Sequence, residues 1–119
     1  AGRALGYVCA PSLFQKVVAR CIGATGDISL YKKNRDILYK GLTDIGYECY
    51  KPDGAFYMFV KALEPDADAF CEKAKEEDLL IVSATGFGCP GYVRISYCVD
   101  EDMIRRSFAA FERLYKKYK

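Results

Sequence analysis

The sequence predicts an α/β protein: a two-layer α/β sandwich whose sheet carries helices mainly on one face. Three observations point there. Short apolar runs of strand length alternate with longer segments of helical periodicity, a proline-aspartate-glycine connection joins two of the strand-like runs, and half of the 119 residues are apolar, enough for one modest core. The chain is too short for two ordinary domains, and it has no low-complexity tract, charge block or repeat.

Taken in order, Leu5 to Ala10 reads as a short buried strand stopped by Pro11. Pro11 and Ser12 are good helix-start residues, and Leu13, Phe14, Val17, Val18, Cys21 and Ile22 recur at helical spacing up to Gly23. Asp27 is placed to cap a longer helix through about Ile45, with Tyr31, Leu38, Leu42 and Ile45 on one stripe and Gly46 as its left-handed cap. Tyr47 to Tyr50 and Ala55 to Val60 read as strands of a hairpin joined through Lys51-Pro52-Asp53-Gly54. Asp66 then caps a short helix whose inward face is Ala67, Phe70, Cys71 and Ala74. Leu79 to Ser83 and Tyr92 to Val99 are two more strands. The last helix begins at Asp100, with acidic residues in its first turn and Lys116 and Lys117 in its last, matching the helix dipole at both ends. Its packing face is Ile104, Phe108, Phe111, Tyr115 and Tyr118.

Composition excludes several kinds of chemistry. The chain has no histidine, which removes Ser-His-Asp and Cys-His nucleophiles, histidine zinc sites and the commonest general base. Its six cysteines form no C-x-x-C pair, so free thiols in a reducing cytoplasm are expected rather than a disulfide framework. No metal site is expected. The net charge of +2 comes from interspersed signs, which does not make a nucleic-acid surface. No apolar run reaches the roughly 18 to 20 residues of a membrane helix, so no membrane partner is expected. With no initiating methionine and no signal-peptide pattern, a piece of a longer protein is the expectation.

One residue stands out. In the last strand Val93, Ile95 and Tyr97 point one way and Arg94, Ser96 and Cys98 the other, behind a loop containing Gly86 and Gly88. A guanidinium on that second face must find a planar anion, close an internal salt bridge or reach water. The two glycines fit either a close backbone approach to a ligand or ordinary turn duty.

Four segments together resemble the C-terminal part of class I/II pyridoxal-phosphate-dependent aminotransferases of the aspartate aminotransferase superfamily. Gly2-Arg3-Ala4-Leu5-Gly6-Tyr7 is similar to the stretch just after the cofactor lysine. Tyr31, Asn34-Arg35-Asp36 and Leu38 resemble the helix connecting the large and small domains. Pro52 to Phe59 resembles the family's P-x-G-A-F-Y-x-F hairpin, and Gly86-Phe87-Gly88 with Tyr92-Val93-Arg94-Ile95-Ser96 its F-G…G-Y-V-R-I-S strand. The resemblance covers nearly the whole chain.

The resemblance implies an enzyme that moves an amino group between an amino acid and a 2-oxo acid, with pyridoxal 5′-phosphate held by a lysine as a Schiff base. It implies that residues 1–27 end a large cofactor domain and that residues 28–119 form the small C-terminal, substrate-gripping domain. Arg94 falls on the arginine that holds the substrate α-carboxylate. Phe56 falls on an aromatic bordering the substrate, and hairpin core packing fits it equally. Arg3 lies one residue before the family's phosphate-reaching arginine, at whose position Ala4 stands, and a one-residue slip turns a strand side chain to the other face. No lysine here lies in the family's Schiff-base context, so this chain alone is expected to be inactive. A cytoplasmic homodimer is implied for the intact enzyme. An aminotransferase-like non-catalytic domain of a transcriptional regulator, or a carbon–sulfur lyase of the same superfamily, would share these residues. Arg35 and Asp36 read as solvent or interdomain pairs.

Overall fold

In the computed structural model, residues 10–119 are described, in the order α1 (Ser12–Cys21), α2 (Ser29–Ile45), β1 (Cys49–Tyr50), β2 (Tyr57–Lys61), α3 (Ala67–Lys75), β3 (Val82–Ser83), a 3₁₀ turn (Thr85–Phe87), β4 (Tyr92–Ser96) and α4 (Glu101–Lys116). The strand expected at Leu5 to Ala10 lies outside the described residues except for Ala10, as does Arg3.

The four strands form one sheet in the order β1-β2-β4-β3, every neighbouring pair antiparallel. Strand alternation sorts the side chains. Met58 and Val60 on β2 stand opposite Ile95 and Val93 on β4, and all four are buried under α2, α3 and α4. Tyr57, Phe59 and Lys61 stand opposite Ser96, Arg94 and Tyr92 on the other face, where none of them is fully buried. The sandwich therefore has one covered face and one open face, and Arg94 is on the open one.

The helices follow their sequence stripes. Leu38 and Leu42 of α2, Ala67, Phe70, Cys71 and Ala74 of α3, and Ile104, Phe111 and Leu114 of α4 are the buried apolar positions, and α2 also buries the polar Asn34. Asp66 caps α3 by accepting from the Asp68 and Ala69 amides, and Asp100 caps α4 by accepting from the Asp102 amide. Gly46 ends α2 at φ 116°, a conformation that favours glycine, and its N–H reaches the oxygens of Leu42 and Thr43.

Several boundaries differ from expectation, and each has a local cause. Helix α2 starts at Ser29, two residues after Asp27, whose carboxylate accepts from the Ser29 amide at 2.9 Å. Strand β1 is shortened because the Tyr47 amide closes α2 by donating to Leu42 O. Likewise the Leu79 amide donates to Ala74 O beyond α3, so β3 pairs only at Val82 and Ser83 and leaves Leu80 86 % exposed. Strand β2 starts at Tyr57 rather than Ala55, because Ala55 is left-handed at φ 61°. Strand β4 stops at Ser96, past which the oxygens of Tyr97 and Val99 accept from Asn34.

Helix α1 is amphipathic, yet none of its residues is buried. Residues 10–30 are all exposed, among them the apolar side chains of Leu13, Phe14, Val17, Val18 and Ile22. Among the described residues no helix is long and apolar enough to cross a membrane. Cys21, Cys49, Cys71, Cys89 and Cys98 are free thiols, and burial pushes the Cys49 thiol up to about 11, with the nearby Glu48 charge adding to the rise.

Candidate functional site

Arg94 sits at the middle of the open face. Its cross-strand neighbours are Phe59 on β2 and Val82 on β3. The guanidinium lies against two rings, with Cζ 4.2 Å from the Tyr57 centroid and 4.0 Å from the Phe87 centroid. Such contacts hold a cation by the ring quadrupole, each worth about 0.5–2 kcal/mol. The arginines that form ion pairs among the described residues are Arg35, Arg105 and Arg113. Arg94 has no described carboxylate partner. A planar fork whose donors meet no acceptor among the described residues, on an open sheet face, has the chemistry to bind a carboxylate through two parallel hydrogen bonds.

The turn that carries Phe87 is built to return it over the sheet. Ala84 O accepts from both the Phe87 and Cys89 amides, and Gly88, left-handed at φ 77°, sends its amide back to Thr85 O. The Ala84 amide donates to Tyr92 O, tying the turn to β4.

Phe56 is 44 % exposed and meets the Tyr31 ring edge-on at 4.9 Å, so it does not serve as hairpin core. It borders a cleft of about 380 Å³ lined by Ile28, Tyr31, Lys32, Arg35, Asp53 to Phe56 and Tyr97. The loop bearing it is held from two sides. The Tyr97 hydroxyl donates to Ala55 O at 2.6 Å and Gly54 O at 3.1 Å, and the Tyr97 amide donates to Phe56 O at 3.0 Å. Arg35 donates to Pro52 O at 3.1 Å while pairing with Asp36, so both side chains are engaged among the described residues. Asp36 in turn pairs with Lys51, whose hydrogen bond is the main cause holding the Asp36 carboxyl below its ordinary value.

Sequence reasoning singled out Arg94 and Phe56 but missed Tyr57, Phe87, Tyr97 and Asn34 as their supports. The signal was faint. Tyr57 shares a face with Arg94 only once the β2–β4 register is known, and Asn34 shows merely as a polar interruption of the Tyr31–Leu38–Leu42 stripe.

A family model for aminotransferase class I and II matches residues 8–111. The chain belongs to the class I and II aminotransferases. An amino transferase from Eubacterium rectale superposes with a TM-score of 0.95 at 75 % identity, covering 99 % of this chain and 30 % of that one. The Thermus thermophilus aspartate aminotransferase solved with maleate gives a TM-score of 0.70 at 33 % identity, over 72 % of this chain and 23 % of that one. Among curated relatives, the aspartate/prephenate aminotransferase of Thermus thermophilus is 34 % identical over 86 residues, 71 % of this chain and 22 % of the relative. The aspartate aminotransferase of Bacillus subtilis is 33 % identical over 97 residues, 74 % of this chain and 25 % of the relative. The aminotransferase chain thus spans about a quarter of the length of those two curated relatives.

Membership in this family implies use of pyridoxal phosphate, and three of the described lysines are poorly suited to its imine bond. An imine-forming lysine is activated by a lowered pKa. The lysines with resolved shifts, Lys61, Lys73 and Lys117, are all raised, first by hydrogen bonds to Glu48, Glu64 and Glu77 respectively. These lysines are held as ammonium ions.

Proposed function

We propose that this chain is the carboxylate-gripping part of an aminotransferase that moves an amino group between an amino acid and a 2-oxo acid. The observation that carries the reading is the Arg94 guanidinium, set between two rings on the open sheet face with no described carboxylate partner. Amino acid and 2-oxo acid share an α-carboxylate, so one planar fork serves both directions of the exchange and fixes the rotation as well as the position of the substrate. Phe56 walls the substrate from the neighbouring loop.

The cofactor of the intact enzyme is pyridoxal 5′-phosphate, which supplies an electron sink for the α-carbon when bound. The chain by itself is inactive on this reading. Residues 1–27 belong with the cofactor domain and 28–119 form the substrate-gripping domain. The exposed apolar side of α1 supports that division, because none of it is buried by the described residues. A cytoplasmic homodimer completes the proposal. The relatives named above are all aminotransferases, the two curated ones named for aspartate and one of them also for prephenate, which favours transamination over lyase or regulatory roles.

The test is Arg94→Lys in the full-length enzyme. Lysine keeps a charge but loses the fork, so KM for the amino acid should rise about 10- to 100-fold, the span of a charged hydrogen bond, while cofactor absorbance is retained. Loss of cofactor with unchanged substrate affinity would overturn the assignment.

A further inference from the structure

Tyr57 and Phe87 reach Arg94 from opposite sides of its strand. Strand β4 lies between β2 and β3; Tyr57 is on β2, and Phe87 is in the turn that follows β3. The residue directly opposite Arg94 on β2 is Phe59, yet the ring against the guanidinium is that of Tyr57, the diagonal neighbour paired with Ser96. Both rings are conspicuously uncovered, Tyr57 at 40 % and Phe87 at 54 % exposure, whereas Phe70 and Phe111 are buried in the core. Burial does not explain where the two rings sit. Their shared contact is the guanidinium.

We propose that Tyr57 and Phe87 are positioning residues that fix the plane of the Arg94 guanidinium, so that its in-plane donors are offered to a carboxylate in advance. This deepens, and rests on, the reading of Arg94 as the carboxylate ligand. Guanidinium donors lie in the plane of the group, and ring faces attract a cation without consuming those donors. An arginine free to rotate loses side-chain freedom when it grips a ligand, and one already held between rings loses less. The contribution is uniform: the carboxylate is held alike before and during reaction, so the effect belongs in KM rather than in kcat.

The experiment compares Tyr57→Leu, Tyr57→Phe and Phe87→Leu in the full-length holoenzyme, measuring KM for the amino acid, kcat, and inhibition by maleate as a dicarboxylate probe. Each leucine variant is expected to raise KM and the maleate inhibition constant by about five- to thirty-fold, with kcat within about twofold, and Tyr57→Phe should stay near the parent because the ring is retained. Unchanged KM and maleate inhibition in both leucine variants would overturn the clamp, as would a Tyr57→Phe loss equal to that of Tyr57→Leu. Phe87 lies in an exposed turn, so its variant keeps the test open if Tyr57→Leu fails to fold. Arg94→Lys, run alongside, separates the two claims. If it leaves maleate inhibition unchanged, the carboxylate reading itself fails; if it weakens inhibition while the leucine variants do not, only the clamp fails.

Discussion

Asn34, wholly buried on α2, donates from Nδ2 to the backbone oxygens of Tyr97 at 3.1 Å and Val99 at 2.7 Å, while its own Oδ1 has no partner among the described residues. One side chain thereby ties the long helix to the chain just past the strand that carries Arg94. Asn34→Leu would fill the space and remove the orphaned acceptor, but it would leave two carbonyls of the chain past β4 without these donors. A net loss of about 2–4 kcal/mol is expected, read as a lower urea midpoint. Asn34→Asp should be worse at neutral pH. Burial raises the folded pKa of the new carboxyl, so its penalty relative to the parent should be least in acid, and should grow as pH rises past about 4.

Tyr97 passes that restraint on to the Phe56 loop. Tyr97→Phe removes the hydroxyl that serves Gly54 and Ala55, costing about 1–2 kcal/mol. The left-handed Ala55 is then freer to relax, since it is held in a conformation that costs a residue with a side chain roughly 1–2 kcal/mol. Amide exchange should quicken across residues 53–56 while β4 keeps its protection. Equal exchange in both proteins would show that the loop is held by Arg35 and the Phe56 carbonyl alone.

How much of this was legible beforehand depends on the range of the interaction. Helix α3 was readable residue by residue, because its cap Asp66 and its buried Ala67, Phe70, Cys71 and Ala74 are set by spacing within one segment. Strand ends were not, because the amides of Tyr47 and Leu79 are taken by the carbonyls of the helices before them. At the site the same division holds. Arg94 announces itself as a cation in an apolar strand, but the rings beside it come from two other segments, and only the sheet order brings them together.

Gly41 allows α2 and α4 to approach closely. A Cβ there would overlap the tip of the Phe108 ring, which packs against the core from α4. Alanine in a helix interior gains about 1 kcal/mol over glycine, whereas forced overpacking costs about 1–3 kcal/mol. Gly41→Ala should therefore lower stability slightly in the parent. In a Phe108→Leu background the clash is gone, and the same change should be stabilising by about 0.5–1 kcal/mol. A double-mutant cycle in urea measures the sign change, and additive effects would mean that the Phe108 ring moves aside freely.

Glu77 joins the ends of α3 and α4. Its carboxylate pairs with Lys117 at 2.7 Å and Arg113 at 2.7 Å, and these two cations, Lys117 first, hold it below the ordinary glutamate range. Glu64 is lowered in the same way by the Tyr118 hydroxyl and then Lys73. The sign follows from the direction of the shift. A carboxyl with a depressed folded pKa contributes stability that is complete above its unfolded value, about 4.3, and is lost as pH falls from there through the folded value. Between pH 3 and 5 the parent should lose stability more steeply than Glu77→Gln, which has no proton to take up at that position. At pH 7 the parent should be the more stable of the two. Parallel pH profiles for both proteins would show that the cluster is too well screened by water to contribute, as exposed ion pairs often are.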